Sequence, residues 1–584
     1  MCGVFLIYSK NKKLSSSKCI SALKTLNNRG PDRTYYNFFL NNRLFIGNSV
    51  LQINGVPKKG RDLYNNKKFY LSYNGEIYNH KFIDKNILKK KMANDTGTLL
   101  NLHNHFSPQK VIKLLDGMFA YALFNKETNH VHVVTDSQGE KKLLKYEDEN
   151  YLIICSNQKP LINFLKEKLK INKDIINDYF NTRHFLQFKH SFFKKVKFLD
   201  GGNLNTINLN TGKLINKEID NPINWINKKD YKKYESMNLD QVSINLEKLM
   251  KKKLDLMKPE INFGTIISGG IDTSLVSLFL QNKERHKLNI CLVHKNKDVP
   301  ANNVLNGKFK NFINYKKLKI FFVKPSDYFN NLRKTYKKYL SPLSSHDLPG
   351  RNLIFNYFKK RKIKVIFSGD GADEIFGGYE LYKKINWNTK EKKILSPYSL
   401  INNTKSKQYK DIKILFEKVY KKYRSFLNHK ESLMQSNLYL DYFVQSVGVH
   451  NLSNDVMAGE NSVEIRNIFL NKEILKLAIN LPIKFKINLE SKEETYRLKP
   501  ILKKIFIKNF CKNLYVKKQG FPGYPNEAQK FLNKKDKNSI KSFFNKISYL
   551  KKTDSKITKW KILNIFFVQK FLNKELHIGN QDII

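Results

Sequence analysis

Acidic residues are scarce in this sequence. Asp and Glu number 50 against 107 Lys and Arg, leaving a formal charge of +57. Such a balance favours polyanions in principle. The lysines, however, are spread over the whole chain among abundant Asn and Ile, as a compositional bias would spread them. Zinc-ligand spacing, an RNP-like aromatic signature and an arginine-rich arm are all missing, so no specific nucleic-acid partner is expected. Cysteine is scarce too. Cys2, Cys19, Cys155, Cys291 and Cys511 are odd in number, far apart and form no C-x-x-C pair. That excludes a disulfide framework and a zinc site, and it fits a reducing compartment. No apolar run approaches the roughly 18 residues needed to span a bilayer. The start, Met-Cys-Gly-Val-Phe-Leu-Ile-Tyr, lacks the basic n-region and cleavage site of a signal peptide and reads as a strand. A cytoplasmic protein that does not enter a membrane is expected.

What is present belongs to a folded protein: 41 % hydrophobic and 13 % aromatic residues. A length of 584 residues calls for more than one domain. Short strand-like segments dominate the first 200 or so positions, among them Val4–Tyr8, Leu44–Gly47, Lys68–Tyr73, Met118–Phe124, His130–Thr135 and Tyr151–Ser156. A helix is expected near Thr96–His105. This pattern reads as an α+β domain of layered antiparallel sheets with helices. Residues 206–239 carry the weakest periodicity and are expected to be a linker between domains spanning 2–205 and 240–584. From about residue 240 strands alternate with helices: helix Val242–Leu256, strand Asn262–Ile267, helix Ser274–Gln281, then strands Leu288–Val293, Leu318–Val323 and Lys364–Phe367. Such alternation points to an α/β domain on a parallel sheet, followed by a mostly helical C-terminal part.

Three constellations carry chemistry. The first begins at Cys2. Once Met1 is removed, its thiol and its own α-amino group sit on one residue, and a free α-amine of pKa about 7.7–8.0 can act as base toward the thiol. Downstream lie Arg29-Gly30-Pro31-Asp32, Asn74-Gly75-Glu76-Ile77-Tyr78-Asn79 and Asn94-Asp95-Thr96. An Asn amide beside a Gly N–H can form an oxyanion hole, and Asp95 can hold an α-ammonium group. Taken singly, Asn74-Gly75 is a hairpin turn and Asp95 a helix cap. The second is Ser268-Gly269-Gly270-Ile271-Asp272-Thr273, where a strand enters a glycine loop and then a helix, offering backbone N–H groups to phosphate. It is not the G-x-x-x-x-G-K loop. The third, Ser368-Gly369-Asp370-Gly371-Ala372-Asp373-Glu374-Ile375-Phe376-Gly377-Gly378-Tyr379, again follows a strand.

In order and spacing the first constellation resembles the class II glutamine amidotransferase domain, an N-terminal-nucleophile fold. The second resembles the S-G-G-x-D-S pyrophosphate loop of ATP pyrophosphatases, and the third the S-G-[DE]-G-x-D-E-x-F-G-G-Y segment of glutamine-hydrolysing asparagine synthetases. The resemblance implies that Cys2 attacks the carboxamide of glutamine, that Asn74 and Gly75 stabilise the oxyanion, and that Glu76 and Asp95 bind glutamine. It implies ATP and Mg²⁺ as cofactors. Ser268 to Thr273, Ser368 and Gly369 would hold the nucleotide, Asp272 and Asp373 would ligate the metal, and Asp370 would help ammonia lose a proton. Lys517-Lys518-Gln519-Gly520-Phe521 resembles a K-Q-G-F segment whose lysine, here Lys518, would neutralise phosphate charge. Asp455, Glu464–Leu470 and Leu481-Pro482 resemble further structural elements. The implied reaction converts aspartate, through β-aspartyl-AMP, to asparagine with ammonia from glutamine, yielding glutamate, AMP and pyrophosphate. A homodimer is compatible with this. Alternatives are a related ligase adenylating another carboxylate, or an enzyme whose glutaminase half is impaired or silent.

Two positions depart from the pattern. Val50 stands where such domains place an arginine that grips the α-carboxylate of glutamine, and Thr135 precedes Asp136 where they also have arginine. Valine cannot make a bidentate contact. Arg43, in a shifted register, or another residue must then do the gripping if glutamine is used.

Overall fold

The computed structural model describes residues 1–55, 64–182, 184–294, 299–395, 406–515, 538 and 556–576. The chain first builds two antiparallel sheets from β1 (Gly3–Ser9), β2 (Arg33–Phe39), β3 (Leu44–Val50), β4 (Phe69–Ile77), β5 (Gly117–Asn125), β6 (His130–Thr135), β7 (Leu144–Glu147), β8 (Tyr151–Cys155), β9 (Val196–Phe198), β10 (Asn203–Asn208) and β11 (Leu214–Glu218). Their orders are β2-β3-β1-β8-β7-β9 and β11-β10-β6-β5-β4.

Period-two alternation decides the layering. In β1, Val4, Leu6 and Tyr8 pack against Ala120, Ala122, Phe124, Val131 and Val133 of the other sheet. Phe5 and Ile7 point the opposite way, toward Cys19, Ala22 and Leu23 of the helix Ser16–Lys24. The second sheet turns Leu71, Tyr73, Tyr121 and Leu123 toward the helices Asp95–His105 and Pro108–Leu114. Helix, sheet, sheet and helix therefore stack in four layers, the expected α+β arrangement.

The second half is built on β12 (Phe263–Ile266), β13 (His286–His294), β14 (Leu318–Val323), β15 (Val365–Ser368) and β16 (Glu464–Asn467), in the order β14-β13-β12-β15-β16. All neighbouring pairs are parallel. Parallel strands need cover on both faces. The helix Leu239–Met257, started by an Asn238/Gln241 capping box, lies against Phe263, Val365 and Phe367, while Ile354, Phe355 and Phe358 cover Ile290, Leu292 and Ile366 from the other side. Helices follow, as expected. One long helical stretch runs from His429 to Gly459, with Asp441–Asn451 wound as π-helix.

Two expectations need correction. Residues 206–218, expected within a linker, supply β10 and β11, which extend the second sheet past β6. Their turn Asn210-Thr211-Gly212 looked featureless because its strands are short and half polar. β16 was also missed inside the helical C-terminal part: its four residues are too few to show a period. No helix among the described residues is long and apolar enough to cross a membrane.

The two halves meet through buried ion pairs. Asp455 Oδ2 accepts from Arg29 Nη2 at 2.8 Å and Asp455 Oδ1 from Lys141 Nζ at 2.8 Å. Arg466 links Glu464 (2.8 Å) to Glu76 (3.1 Å). Lys253 meets Asp116 and Lys472 meets Asp220 nearer the rim. Burial pushes the Asp455 carboxyl up, but the two cations outweigh it and hold it at about 2. A carboxyl that titrates lower when folded stabilises the fold fully above about pH 4 and loses that contribution as pH falls toward about 2. Replacing Asp455 by Ala strands two buried cations, and an expected loss of about 3–5 kcal/mol is measurable by denaturant unfolding at pH 7.

Candidate functional site

Cys2 stands just before β1, half-buried. Its backbone N–H donates to Asn74 Oδ1 at 2.8 Å, its carbonyl accepts from Arg29 Nε at 3.1 Å, and its thiol faces Leu51 O at 3.8 Å. Because Asn74 Oδ1 accepts from Cys2, the Asn74 amide nitrogen remains free to donate elsewhere. Asn74 and Gly75 do not form a hairpin turn. They lie inside β4, paired with Ala120 and Phe119 of β5. Gly75 has φ +141°, and a Cβ there would overlap the Met118 carbonyl, so only glycine fits.

Asp95 opens its helix, whose cap is Asn94, accepting from Gly97 N–H at 3.1 Å. The Asp95 carboxylate accepts from Tyr73 Oη (2.7 Å), Ile77 N–H (3.0 Å) and Thr96 N–H (2.9 Å). Burial nevertheless raises its pKa. Glu76 is tied elsewhere: it accepts from Asn54 Nδ2 at 2.6 Å and pairs with Arg466. Burial pushes its carboxyl well up despite that arginine. Val50 is buried in β3. Arg43 is at the opposite end of that strand, bonded to Ser9 O (3.3 Å), Tyr8 Oη (3.1 Å) and Lys10 O, so it is not the missing cation. Asp136 spends its carboxylate on the N–H groups of Phe119, Gln138, Glu140 and Lys141, which makes it a loop organiser.

The two glycine loops of the second half leave neighbouring parallel strands, β12 and β15, at the same sheet end. They touch. A Cβ on Gly369 would sit 2.8 Å from Thr273 N and 2.9 Å from the Asp272 carbonyl carbon, so glycine is needed where the loops abut. Ser268 Oγ and Thr273 Oγ1 are hydrogen-bonded at 2.9 Å, closing the first loop, with Gly269, Gly270 and Ile271 between them. Asp272 and Asp373 converge on one ammonium: Lys499 Nζ lies 2.8 and 2.7 Å from the Asp272 oxygens and 2.6 Å from Asp373 Oδ1. Lys499 holds left-handed backbone (φ +47°) just before Pro500, a strained conformation for a non-glycine residue. The sequence reading missed this residue, since one lysine among so many carries no signal. Lys518 lies outside the described residues. The two carboxylates are a donor set that fits Mg²⁺ carried by a nucleotide, because that ion typically takes one or two protein carboxylates and fills its shell with phosphate and water.

Asp370 projects from the second loop into a partly buried pair with Arg351, 2.8 Å to Nη1 and 3.2 Å to Nη2. Asn454 Nδ2 (2.9 Å) and Ser368 Oγ (3.2 Å) also donate to it. Burial raises its pKa, but Arg351 prevails and the net direction is down. Arg351 also holds Asp347 at 2.6 Å. Several buried polar atoms have no hydrogen-bond partner among the described residues, among them Tyr78 Oη, Glu140 Oε1, both amide atoms of Asn467, and Ser446 Oγ. Tyr78 lies against Arg466, and Ser446 faces Gly371 beside Asp370.

Burial pushes the Cys2 thiol up to about 11 while Met1 precedes it. Chains that retain Met1 are expected to alkylate slowly at Cys2 near pH 7.5, with rates climbing toward pH 11. Chains beginning at Cys2 gain a neighbouring free amine and are expected to react faster at neutral pH. Iodoacetamide labelling followed by peptide mass spectrometry distinguishes the two; equal rates would count against activation by the α-amine.

Comparison with known proteins agrees with this geometry. The glutamine amidotransferase domain family matches residues 1–217 and the asparagine synthase family residues 246–556. Asparagine synthetase [glutamine-hydrolyzing] 1 of Bacillus subtilis is 24 % identical over 405 residues, covering 66 % of this chain and 60 % of that protein. A putative asparagine synthetase [glutamine-hydrolyzing] 2 of Methanocaldococcus jannaschii is 25 % identical over 416 residues, 65 % of this chain and 76 % of its own length. The mouse asparagine synthetase [glutamine-hydrolyzing] is 27 % identical over 421 residues, 66 % of this chain and 68 % of its own. With an N-terminal-nucleophile domain in front of a parallel-sheet domain of the ATP-pyrophosphatase type, the chain belongs to the asparagine synthase family.

Proposed function

We propose that this chain makes asparagine from aspartate, ATP and ammonia, and that it draws the ammonia from glutamine. The observation that carries the reading is the contact between the two glycine loops, with Asp272 and Asp373 converging on Lys499.

At the first site the freed α-amine of Cys2 takes the thiol proton, and the sulfur attacks the carboxamide of glutamine. Asn74 Nδ2 and the Gly75 N–H stabilise the oxyanion, ammonia leaves, and water releases glutamate from the thioester. Asp95, already held in place by Tyr73 and Ile77, pairs with the α-ammonium of glutamine. Glu76 borders the same pocket while its carboxylate stays tied to Arg466.

At the second site the β-carboxylate of aspartate attacks the α-phosphorus of ATP. This gives β-aspartyl-AMP and pyrophosphate, the activation that a free carboxylate needs before it can acylate ammonia. The backbone N–H groups of Ser268–Thr273 and of Ser368-Gly369 cradle the phosphates. Mg²⁺, held by Asp272 and Asp373, would neutralise charge on the transferring phosphates. Lys499 is positioned to balance the remaining charge, the task foreseen for Lys518. Ammonia then displaces AMP. Asp370 accepts the proton shed by the attacking nitrogen. Its basicity is low while Arg351 holds it, and a dicarboxylate acceptor that competes for Arg351 raises it. The unpartnered polar atoms from Tyr78 to Ser446 support a buried route for ammonia, since such atoms are ordinarily paired.

Two substitutions test the division of labour. Cys2→Ala is expected to abolish glutamine-dependent asparagine formation and leave formation from ammonium intact; equal loss of both would refute the scheme. Asp272→Ala is expected to cut aspartate-dependent pyrophosphate release by about 100-fold or more, as loss of a ground- and transition-state charge partner does, and near-normal release would exclude it as a metal ligand. AMP, pyrophosphate and asparagine should be followed together.

A further inference from the structure

Strand order places Arg33, Val50 and Cys2 in one row. Arg33 on β2 is directly opposite Val50 on β3. On the other side of β3, Gly3 is opposite Ser49, so Cys2, one residue earlier, falls opposite Val50. Directly opposed residues of antiparallel strands point to the same face. All three side chains therefore project toward the same side, the one on which the thiol works. Adjacent strands are about 4.8 Å apart, which puts the Arg33 backbone about 10 Å from that of Cys2. Extended glutamine separates its carboxamide carbon from its α-carboxylate carbon by four bonds, about 5 Å. An arginine side chain reaching inward from two strands away spans the remainder.

Among the described residues, the buried cations around this pocket are otherwise committed. Arg29 serves Asp455 and the Cys2 carbonyl, Lys141 serves Asp455, and Arg466 serves Glu76 and Glu464. Arg33 is exposed, and no hydrogen bond or ion pair of its guanidinium is found among the described residues. Between Arg33 and Cys2 stands Val50, short and apolar. Tyr64 ties the row to the rest of the site. Burial pushes its phenol up, Cys2 and Asp95 push it further, and Arg33 pulls it down, so these charges surround one ring.

We propose that Arg33 binds the α-carboxylate of glutamine, from the strand beside the one that carries Val50. The guanidinium would take the carboxylate in a bidentate contact, with Asp95 on the α-ammonium and Asn74 and Gly75 at the carboxamide. The inference rests on the reading of Cys2 as the glutamine-attacking nucleophile and specifies how that site recognises an amino acid.

The test compares glutamine with 4-aminobutanamide, which is glutamine without its α-carboxylate, by glutamate or 4-aminobutyrate release. The intact chain is expected to prefer glutamine strongly. In Arg33→Ala the KM for glutamine is expected to rise on the order of 10- to 100-fold, the range for losing a charged hydrogen-bonded pair, with a smaller change in kcat. The turnover of 4-aminobutanamide is expected to stay put, so the preference collapses. Arg33→Lys should recover part of it, and Val50→Arg placed in the Arg33→Ala chain should restore it from the neighbouring strand. Ammonia-dependent synthesis, which does not use this pocket, reports that the variants are folded. An unchanged glutamine KM and an unchanged preference in Arg33→Ala would overturn the assignment. Absence of any amide hydrolysis by the intact chain would overturn instead the glutaminase reading of Cys2, and this inference with it.

Discussion

A carboxylate almost out of reach of water, Asp455, takes a guanidinium and an ammonium from the opposite half of the chain. Much of the molecule hangs on that junction. Arg29 reaches Asp455 with Nη2 and the Cys2 carbonyl with Nε, so the ion pair also positions Cys2. Asn454, the preceding residue, donates to Asp370 of the second glycine loop. Two adjacent residues on one helical stretch thus reach Cys2, through Arg29, and Asp370 directly. A buried charge cluster has directional requirements that apolar packing lacks, because each misplaced partner leaves an unsolvated charge. It can therefore hold two domains in one relative orientation where an apolar face would allow sliding.

The nucleotide end rests on a different electrostatic balance. Asp272 and Asp373 come from loops more than a hundred positions apart in sequence, and side by side they would repel. Lys499 is placed between them. Its ammonium lies within hydrogen-bonding distance of both carboxylates and holds them toward one point; on the function proposed above, a divalent cation with its phosphates would take over that role. The abutment at Gly369 sets the spacing, since backbone touches backbone there with no side chain between.

At the Cys2 end, the role proposed for Arg33 is one way a sheet can exchange the position of a charge without losing the charge. Three strands present Arg33, Val50 and Cys2 in a row. Moving an arginine from the middle strand to the outer one shifts its root by about 5 Å, well within the reach of its side chain. In a linear comparison the middle position simply looks empty of charge.

The line between what could be read and what had to be folded follows the range of the interactions. Local signals were legible: the glycine loops at Ser268–Thr273 and Ser368–Tyr379 each follow a strand, and the helix Leu239–Met257 lies close to its expected place. Asn74-Gly75 was misread when taken alone, as a turn, because its pairing with β5 is set by a strand some forty residues on. Arg43 looked a plausible substitute until the register put it at the far end of β3. Lys499 and Arg351 were invisible among the many basic residues, for no local pattern separates a buried cation from a solvated one. The sequence alone determined which chemical groups were available and that two phosphate-type loops would form, since backbone conformation and strand–loop–helix order are local properties. Only the tertiary structure decided which carboxylates face each other, which arginine lines up with Cys2, and how the halves are joined, because register and long-range ion pairing depend on groups that meet only once the chain has folded.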